Sequence, residues 1–529
     1  MSSGQQSEPI EGIVLKYPES PVVADVLDHG ALLLVSFFEG RFRQKRQELG
    51  AAQEEARAAW RSGQPGGFLV QTDAIRTGDW SVEPAPPEFA TRRVEIVSTL
   101  ESSTLVNALG SGADACIVDL RDSFTSDTST LLRGQLRLRQ AVNGTLAYHS
   151  PLGTVVIGDS PSKIVVRPRR LTEIEPCLEF EGHPVSAGIL DVLLFLAHSG
   201  KGIVDKGETP CFEIAAHDHA EARLWREVLD SAETLVRLPR GTIRTSVVIE
   251  SLNGAFQADE IAHELKERLV GIAHGTWRYV RDFLECFPNE PRATHPDRGT
   301  LFTALDYLRF SSRYLVQVAH KRGTFALAPC FYGDSVDTPT LRVVGEALVE
   351  ELAVDLEEGY DGKRLCCSKL LSVVRRCFDT AGVTTHQKTA FPYAEGITAE
   401  DLLRVNPRPI TECGFRNAIR TGLAQIAGWI AGHGTTRLDH SLETSSSAGV
   451  SRLLLRQWMR HPNGMLSDGV EITKAYVREV FAEELRNLTG REEEFGFDNE
   501  QLLAAVRIFA ASLAEDATTD TVLDAIVAG

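Results

Sequence analysis

Several short segments of this chain carry residues that could do chemistry. The run Thr245-Ser246-Val247-Val248-Ile249 is β-branched and nearly all apolar, and it ends on a carboxylate, Glu250. Strands buried on both faces read this way, and a polar residue at the C-terminal end of a barrel strand is where such folds place chemistry. About one helix later comes Gly271-Ile272-Ala273-His274-Gly275-Thr276-Trp277-Arg278-Tyr279. The Arg278 guanidinium cannot ligate a cation, but as a planar donor it grips carboxylates well. A second apolar strand, Val165-Val166, ends on Arg167. The vicinal pair Cys366-Cys367 offers either a thiol nucleophile or buried structural cysteine. His217-Asp218-His219 has zinc-compatible spacing, but no third ligand sits nearby in a recognisable pattern, and it reads as a loop.

The composition is that of an ordinary soluble globular protein. Of 529 residues, 43% are hydrophobic and 24% charged. A net charge of −18 argues against nucleic acid or an anionic membrane as the main partner, since both reward clustered Lys and Arg. An anionic small molecule in a local basic pocket is compatible with it. The nine cysteines are odd in number and form no CxxC pair, which suits a reducing cytosol rather than a disulfide framework or zinc site. The polar N-terminus shows no secretory signal, and apolar runs such as Val192 to Ala197 are too short to span a bilayer. The final Ile526-Val527-Ala528-Gly529 is no peroxisomal address. A cytoplasmic location is expected, and the pattern leaves the oligomeric state open.

The elements that must position these residues follow from periodicity. The first ~20 residues read as disordered. Ala24 to about Ser62 reads as helix, broken by Gly63-Gln64-Pro65-Gly66-Gly67, and Pro84-Ala85-Pro86-Pro87 forms a connector. From there, short apolar runs (Ala115 to Leu120, Ile164 to Arg167, Cys211 to Ile214, Ser246 to Glu250, Thr324 to Leu327) alternate with helical patterns. Repeated βα units at this length favour a closed (β/α)8 TIM barrel. After Gly396 the strand signal stops, and Thr398 with Asp401 reads as a capping box. The expected class is α/β. An N-terminal helical segment and connector (1–88) precedes a TIM barrel (89–395), and an all-helical domain (396–529) follows.

Together these segments resemble the malate synthase family, specifically its A-type members. Ile75-Arg76-Thr77-Gly78-Asp79-Trp80, Arg92-Arg93-Val94-Glu95-Ile96, Gly134 to Arg139, His320-Lys321-Arg322-Gly323 and Gly414 to Arg420 carry the likeness collinearly from about residue 70 to 480. The resemblance implies condensation of acetyl-CoA with glyoxylate. Such chemistry needs a base, a fixed positive charge for the enolate, a metal that polarises the aldehyde, and a CoA pocket.

The resemblance places the enolate-stabilising arginine on Arg167 and a metal-binding glutamate on Glu250. The chain departs from the family elsewhere. Arg278 stands where the family has a metal-binding aspartate, and Leu120-Arg121-Asp122-Ser123 replaces an acidic stretch. Thr444, after Glu443, occupies the position of the base, and Cys366-Cys367 replaces a His-Pro-Gly turn. Arg170-Leu171-Thr172 replaces a Gly-Trp-His continuation. Catalytic roles are thereby expected for Arg167, Glu250, Arg278, Thr444 and Glu443. Substrate contacts are expected from Arg121, Asp122, Gly275, Trp277, Cys366 and Cys367.

On this reading the Mg²⁺ site is lost, Glu250 being its remaining family ligand, and no cofactor is required. Arg278 either pairs with Glu250, grips a substrate carboxylate, or fills a decayed site. The expected activity is Claisen-type condensation, or derived acyl chemistry, on an acyl-CoA thioester or 2-oxo acid, in specialised metabolism. Two alternatives stand beside it: a catalytically inactive binding or scaffold protein, and a working malate synthase with a displaced base and a rescued metal site.

Overall fold

Eight short apolar segments pair in parallel, each with the next, and the last returns to the first to close a barrel. In chain order they are β1 (Val94–Ser98), β2 (Ala115–Asp119), β3 (Lys163–Arg167), β4 (Cys211–Ala215), β5 (Arg244–Ile249), β6 (Leu269–His274), β7 (Ala326–Phe331) and β8 (Gly362–Leu365). Every residue of β1, β2, β4 and β6 is buried, as the sequence pattern requires of strands covered on both faces. The computed structural model describes residues 10–18, 20–64, 66–122, 128–158, 161–288, 294–334, 337–389 and 396–513. The expectations for Ser123, for most of the first ten residues and for the C-terminal tetrapeptide lie outside them.

The N-terminal helical reading holds with one break. Helices Pro21–Val26 and His29–Arg61 are separated where the Asp28 side chain caps the second, accepting from Ala31 N at 2.8 Å. The long helix buries Ala31, Val35, Phe38, Phe42 and Leu49, one stripe at helical spacing. It packs against helices Ala187–Phe195, His219–Leu235 and Thr276–Cys286. Disorder is corrected for part of the first ~20 residues. Ile13–Leu15 is an apolar run that adds antiparallel to Leu178–Phe180 of the hairpin Ile174–Phe180/His183–Ser186.

The stretch Ala187–Asp205 is long and apolar enough to cross a bilayer, which the separate apolar runs in the sequence conceal. It is 72% buried inside the protein, as a core helix would be.

The C-terminal region is not all helical, which corrects that expectation. Helix Glu412–Ile430 is flanked by Ser445–Arg460, Lys474–Leu488 and Asn499–Ser512. Between the first two lies a hairpin, β9 (Thr435–Leu438) and β10 (Ser441–Thr444), turning through Asp439 at φ 51°. It docks on the segment after β7, with Leu442 N donating to Tyr332 O at 2.8 Å and Asp334 N to His440 O at 3.0 Å. Four-residue strands with polar alternates leave little periodic signal.

The barrel interior holds a line of opposite charges rather than aliphatic layers alone. Arg92 Nε donates to Glu95 Oε1 (2.6 Å), and Arg364 Nε donates to Glu95 Oε2 (3.2 Å). Arg364 Nη2 bonds Glu213 Oε2, and Arg167 donates to Glu213 Oε1 from Nε (2.8 Å) and Nη2 (2.5 Å). Arg167 Nη1 then lies 3.4 Å from Asp119 Oδ2. Three guanidiniums thus face three carboxylates, all nearly excluded from solvent. Burial would raise the Glu213 carboxyl, but Arg364 and Arg167 hold it below its usual range. Replacing Arg364 by Met should therefore lower stability by about 3–5 kcal/mol, because two buried carboxylates lose a partner at once. Thermal or urea unfolding of the variant against the parent measures this, and an unchanged midpoint would show that the line contributes nothing to holding the barrel.

Candidate active site

The top of the charge line becomes the mouth of the barrel. Asp119, the last residue of β2, turns its other oxygen, Oδ1, to the following loop and accepts from Arg121 N (3.0 Å) and Asp122 N (3.1 Å). That turn fixes where both side chains leave the backbone. Asp122 Oδ1 accepts from Arg278 Nε (2.9 Å) and from Ser446 Oγ (2.8 Å), and Arg278 Nη2 bonds the same oxygen. Arg278 stands near the start of helix Thr276–Cys286, and Ser446 near the start of Ser445–Arg460. Asp122 therefore ties the barrel to the C-terminal region.

Arg121 Nη2 bonds Glu250 Oε1 and lies 3.7 Å from Asp122 Oδ2. Arg278 thus pairs with Asp122, and it is Arg121 that bonds the oxygen of Glu250. Burial would raise the Asp122 carboxyl, yet Arg278 and Arg121 hold it well below the usual carboxylate range. Arg167, by contrast, is driven far above its ordinary value: burial opposes its charge, but Glu213 and Asp119 overcome that. It is a permanent positive charge, oriented from below.

Gly275 packs behind Glu250. A Cβ there would lie 2.6 Å from Glu250 Cγ, so the glycine admits the carboxylate. On the far side of the loop, Arg169 is bonded by Asp191 and Glu175, fixing the segment after β3 onto helix Ala187–Phe195. Gly188 makes that approach feasible, because its Cβ would lie 2.5 Å from Arg169 O.

A second cluster sits beside the first. Glu443, on β10, accepts from Arg298 Nη1 (3.1 Å) and Nη2 (2.6 Å), from Ser441 Oγ (2.7 Å) and from Ser447 Oγ (2.6 Å). Burial would raise its carboxyl, but Arg298 holds it low. Thr444 is the N-cap of helix Ser445–Arg460, its amide donating to Ser447 Oγ at 3.0 Å. Trp277 underlies this cluster, with the Arg298 guanidinium 4.9 Å from its ring centroid. As arranged, neither Glu443 nor Thr444 is a free base.

Cys366 follows β8 at the rim, its Sγ 3.8 Å from Gly333 O. Burial pushes its thiol far above the ordinary value, and a protonated thiol is a poor nucleophile. Cys367 is buried. His217 and His219 flank the N-cap of helix His219–Leu235 at Asp218, and burial takes His217 down to about 3. Sequence reasoning missed Asp119, Glu213, Arg364 and Ser446. A charged residue inside the apolar run Cys211-Phe212-Glu213-Ile214 was the available signal.

Acid sensitivity follows from the three depressed carboxyls, Glu213, Asp122 and Glu443. A folded-state value below the unfolded one gives stability that is complete above the unfolded pKa, about 3.9 for Asp and 4.3 for Glu, and is lost as pH falls below it. Unfolding midpoints between pH 7 and 3 should stay level for this contribution above about pH 5 and drop below about pH 4. Asp122→Asn should be less stable at pH 7 and show a shallower acid drop. Equal slopes for the variant and the parent would mean that Asp122 contributes no such linkage.

Comparison with known proteins supplies a family. Residues 163–405 match the malate synthase TIM barrel domain, and residues 409–526 match the malate synthase C-terminal domain. A malate synthase of Myxococcus xanthus is 32% identical over 491 residues, covering 92% of this chain and 91% of that protein. Malate synthase A of Escherichia coli is 28% identical over 526 residues, 98% of each. A Haloferax volcanii malate synthase solved as a magnesium/glyoxylate complex is 13% identical, covers 80% of this chain and 99% of that one, and has a TM-score of 0.43. The expectation that no cofactor is required is corrected by the family itself: the chain matches both malate synthase domain models, and relatives named malate synthase align along nearly its whole length. In the arrangement described, Glu250 and Asp122 are both ion-paired with guanidiniums, and among the described residues no three Asp, Glu, His or Cys gather as a metal site. No step below is routed through a metal. With both domain matches and a relative 32% identical along 92% of this chain, the chain belongs to the malate synthase family.

Proposed function

We propose that the barrel mouth joins an acyl-CoA thioester to a small 2-oxo acid by Claisen-type condensation. Family membership supports the substrate classes, and the observation that carries the chemistry is Arg167. It ends β3 at the mouth, is nearly fully buried, and is held from below by Glu213. A guanidinium aligned before reaction stabilises a developing enolate without reorganising, which is the largest single contribution in many active sites.

The balance is simple. The thioester α-carbon loses a proton to a base and forms the new bond to the oxo carbon. The resulting alkoxide takes up a proton, and water cleaves the thioester to release CoA and a 2-hydroxy dicarboxylic acid. Arg121, Arg278 and Arg170 supply positive charge for the acid, Arg121 from a buried position and the other two from half-buried ones.

A binding protein is the second reading, and one observation favours it. Glu443 is fully engaged by Arg298, Ser441 and Ser447, so the segment that should supply the base offers none as arranged.

The test is CoA release from acetyl-CoA and longer acyl-CoA thioesters, each with a series of 2-oxo acids, MgCl₂ being present, with the product identified by mass. Acid-dependent release of CoA is expected, and Arg167→Gln should lower kcat by roughly 10²–10³-fold. Tight binding of thioester and acid with no CoA released by any pair would favour the binding protein.

A further inference from the structure

Among the described residues, two neighbouring polar groups in the mouth have nothing to bond. The Arg121 side chain is 2% exposed and bonds Glu250 through Nη2, yet its Nε and Nη1 have no hydrogen-bond partner. On the carboxylate it touches, Glu250 Oε2 also has none, with that side chain 5% exposed. A buried polar group left unmade costs roughly 1–3 kcal/mol, and more if charged, so each such group in a native fold calls for an explanation.

The other arginines of the mouth do not offer this. Arg278 directs Nε and Nη2 at Asp122, and Arg167 directs Nε and Nη2 at Glu213. Arg121 is held at both ends, by Asp119 at its amide and by Glu250 at its head. Its open donors therefore keep a fixed direction. Arg170 lies within electrostatic range of Arg121, Arg278 and Glu250, and its own Nε is buried and unpartnered.

Resting on the condensation reading above, we propose that Arg121 and Glu250 form the recognition pair for the acid substrate and its product. The open donors of Arg121 bind the carboxylate of a small 2-oxo acid. Glu250 Oε2 accepts from the C2 hydroxyl that the oxo oxygen becomes. Arg170 adds a second positive charge at the same end. A donor–acceptor pair of this kind selects for the hydroxyl as well as the charge, since an analogue lacking it leaves the buried carboxylate oxygen unpaired.

Calorimetric titration with malate and with succinate, which lacks only the hydroxyl, tests this in the full chain at constant MgCl₂. Malate should bind at least tenfold more tightly than succinate, as a rough lower bound for a site built to bond a hydroxyl. Arg121→Met should weaken malate at least tenfold while acetyl-CoA affinity changes less than about twofold, which also reports that the variant is folded. Should that variant fail to fold, Arg121→Lys, which lacks the Nε donor, is expected to weaken malate by about fivefold or more. Equal affinity for malate and succinate, or unchanged malate affinity in the Arg121 variants, would overturn the proposal. Discrimination by the parent that is lost in the variants, with no CoA released from any 2-oxo acid, would keep the recognition pair and remove the condensation.

Discussion

The buried line of charge from Arg92 to Asp119 is the constraint on which the rest of the molecule depends. It threads Glu95, Arg364, Glu213 and Arg167 through the barrel interior and ends by holding the turn that carries Arg121 and Asp122. Buried ion pairs are weak evidence for stability as such, because replacing a whole pair with apolar side chains is often neutral or better. Their use here is orientation. Arg364 and Arg167 are each bonded by the carboxylate beneath them, so the direction of Arg167 at the mouth is set by residues deep in the barrel. An apolar interior of equal volume would pack, but would leave Arg167 free to choose among rotamers.

Above that line the mouth is assembled from three parts of the chain. The loop after β2 supplies Arg121 and Asp122, the end of β5 supplies Glu250, and helix Thr276–Cys286 supplies Arg278. The C-terminal region closes the set through Ser446, and through the Glu443–Arg298 pair on the hairpin that docks beside β7. The consequence is coupling. Asp122 cannot change its charge without loosening both Arg278 and the first turn of helix Ser445–Arg460.

Much of this was legible in the sequence, for physical reasons. Fully buried strands have to be apolar runs, so Ala115 to Leu120 and Ser246 to Glu250 stood out, and their alternation with helical patterns pointed to a barrel that the family likeness supported. The polar residues at strand ends, Arg167 and Glu250, stood out by position, and the family likeness gave them their expected roles. The pairing was not legible. Arg278 was set against Glu250 as one of its readings, but it reaches Asp122, and Arg121 reaches Glu250, because Asp119 bends the loop between them. Ser446 lies 324 residues from the carboxylate it bonds, and no local pattern reports such a contact. The hairpin β9–β10 was missed because its strands are short and pair only with each other, apart from one bridge between Ser441 and Gly333 after β7.

A crystal structure of the full chain with malate bound tests the central claim most directly. If the charge line aims Arg121 at the acid, a carboxylate oxygen of malate will lie about 3 Å from Arg121 Nε or Nη1, with the hydroxyl at a similar distance from Glu250 Oε2. Malate found elsewhere in the barrel, with Arg121 still bonded only to Glu250, would contradict it.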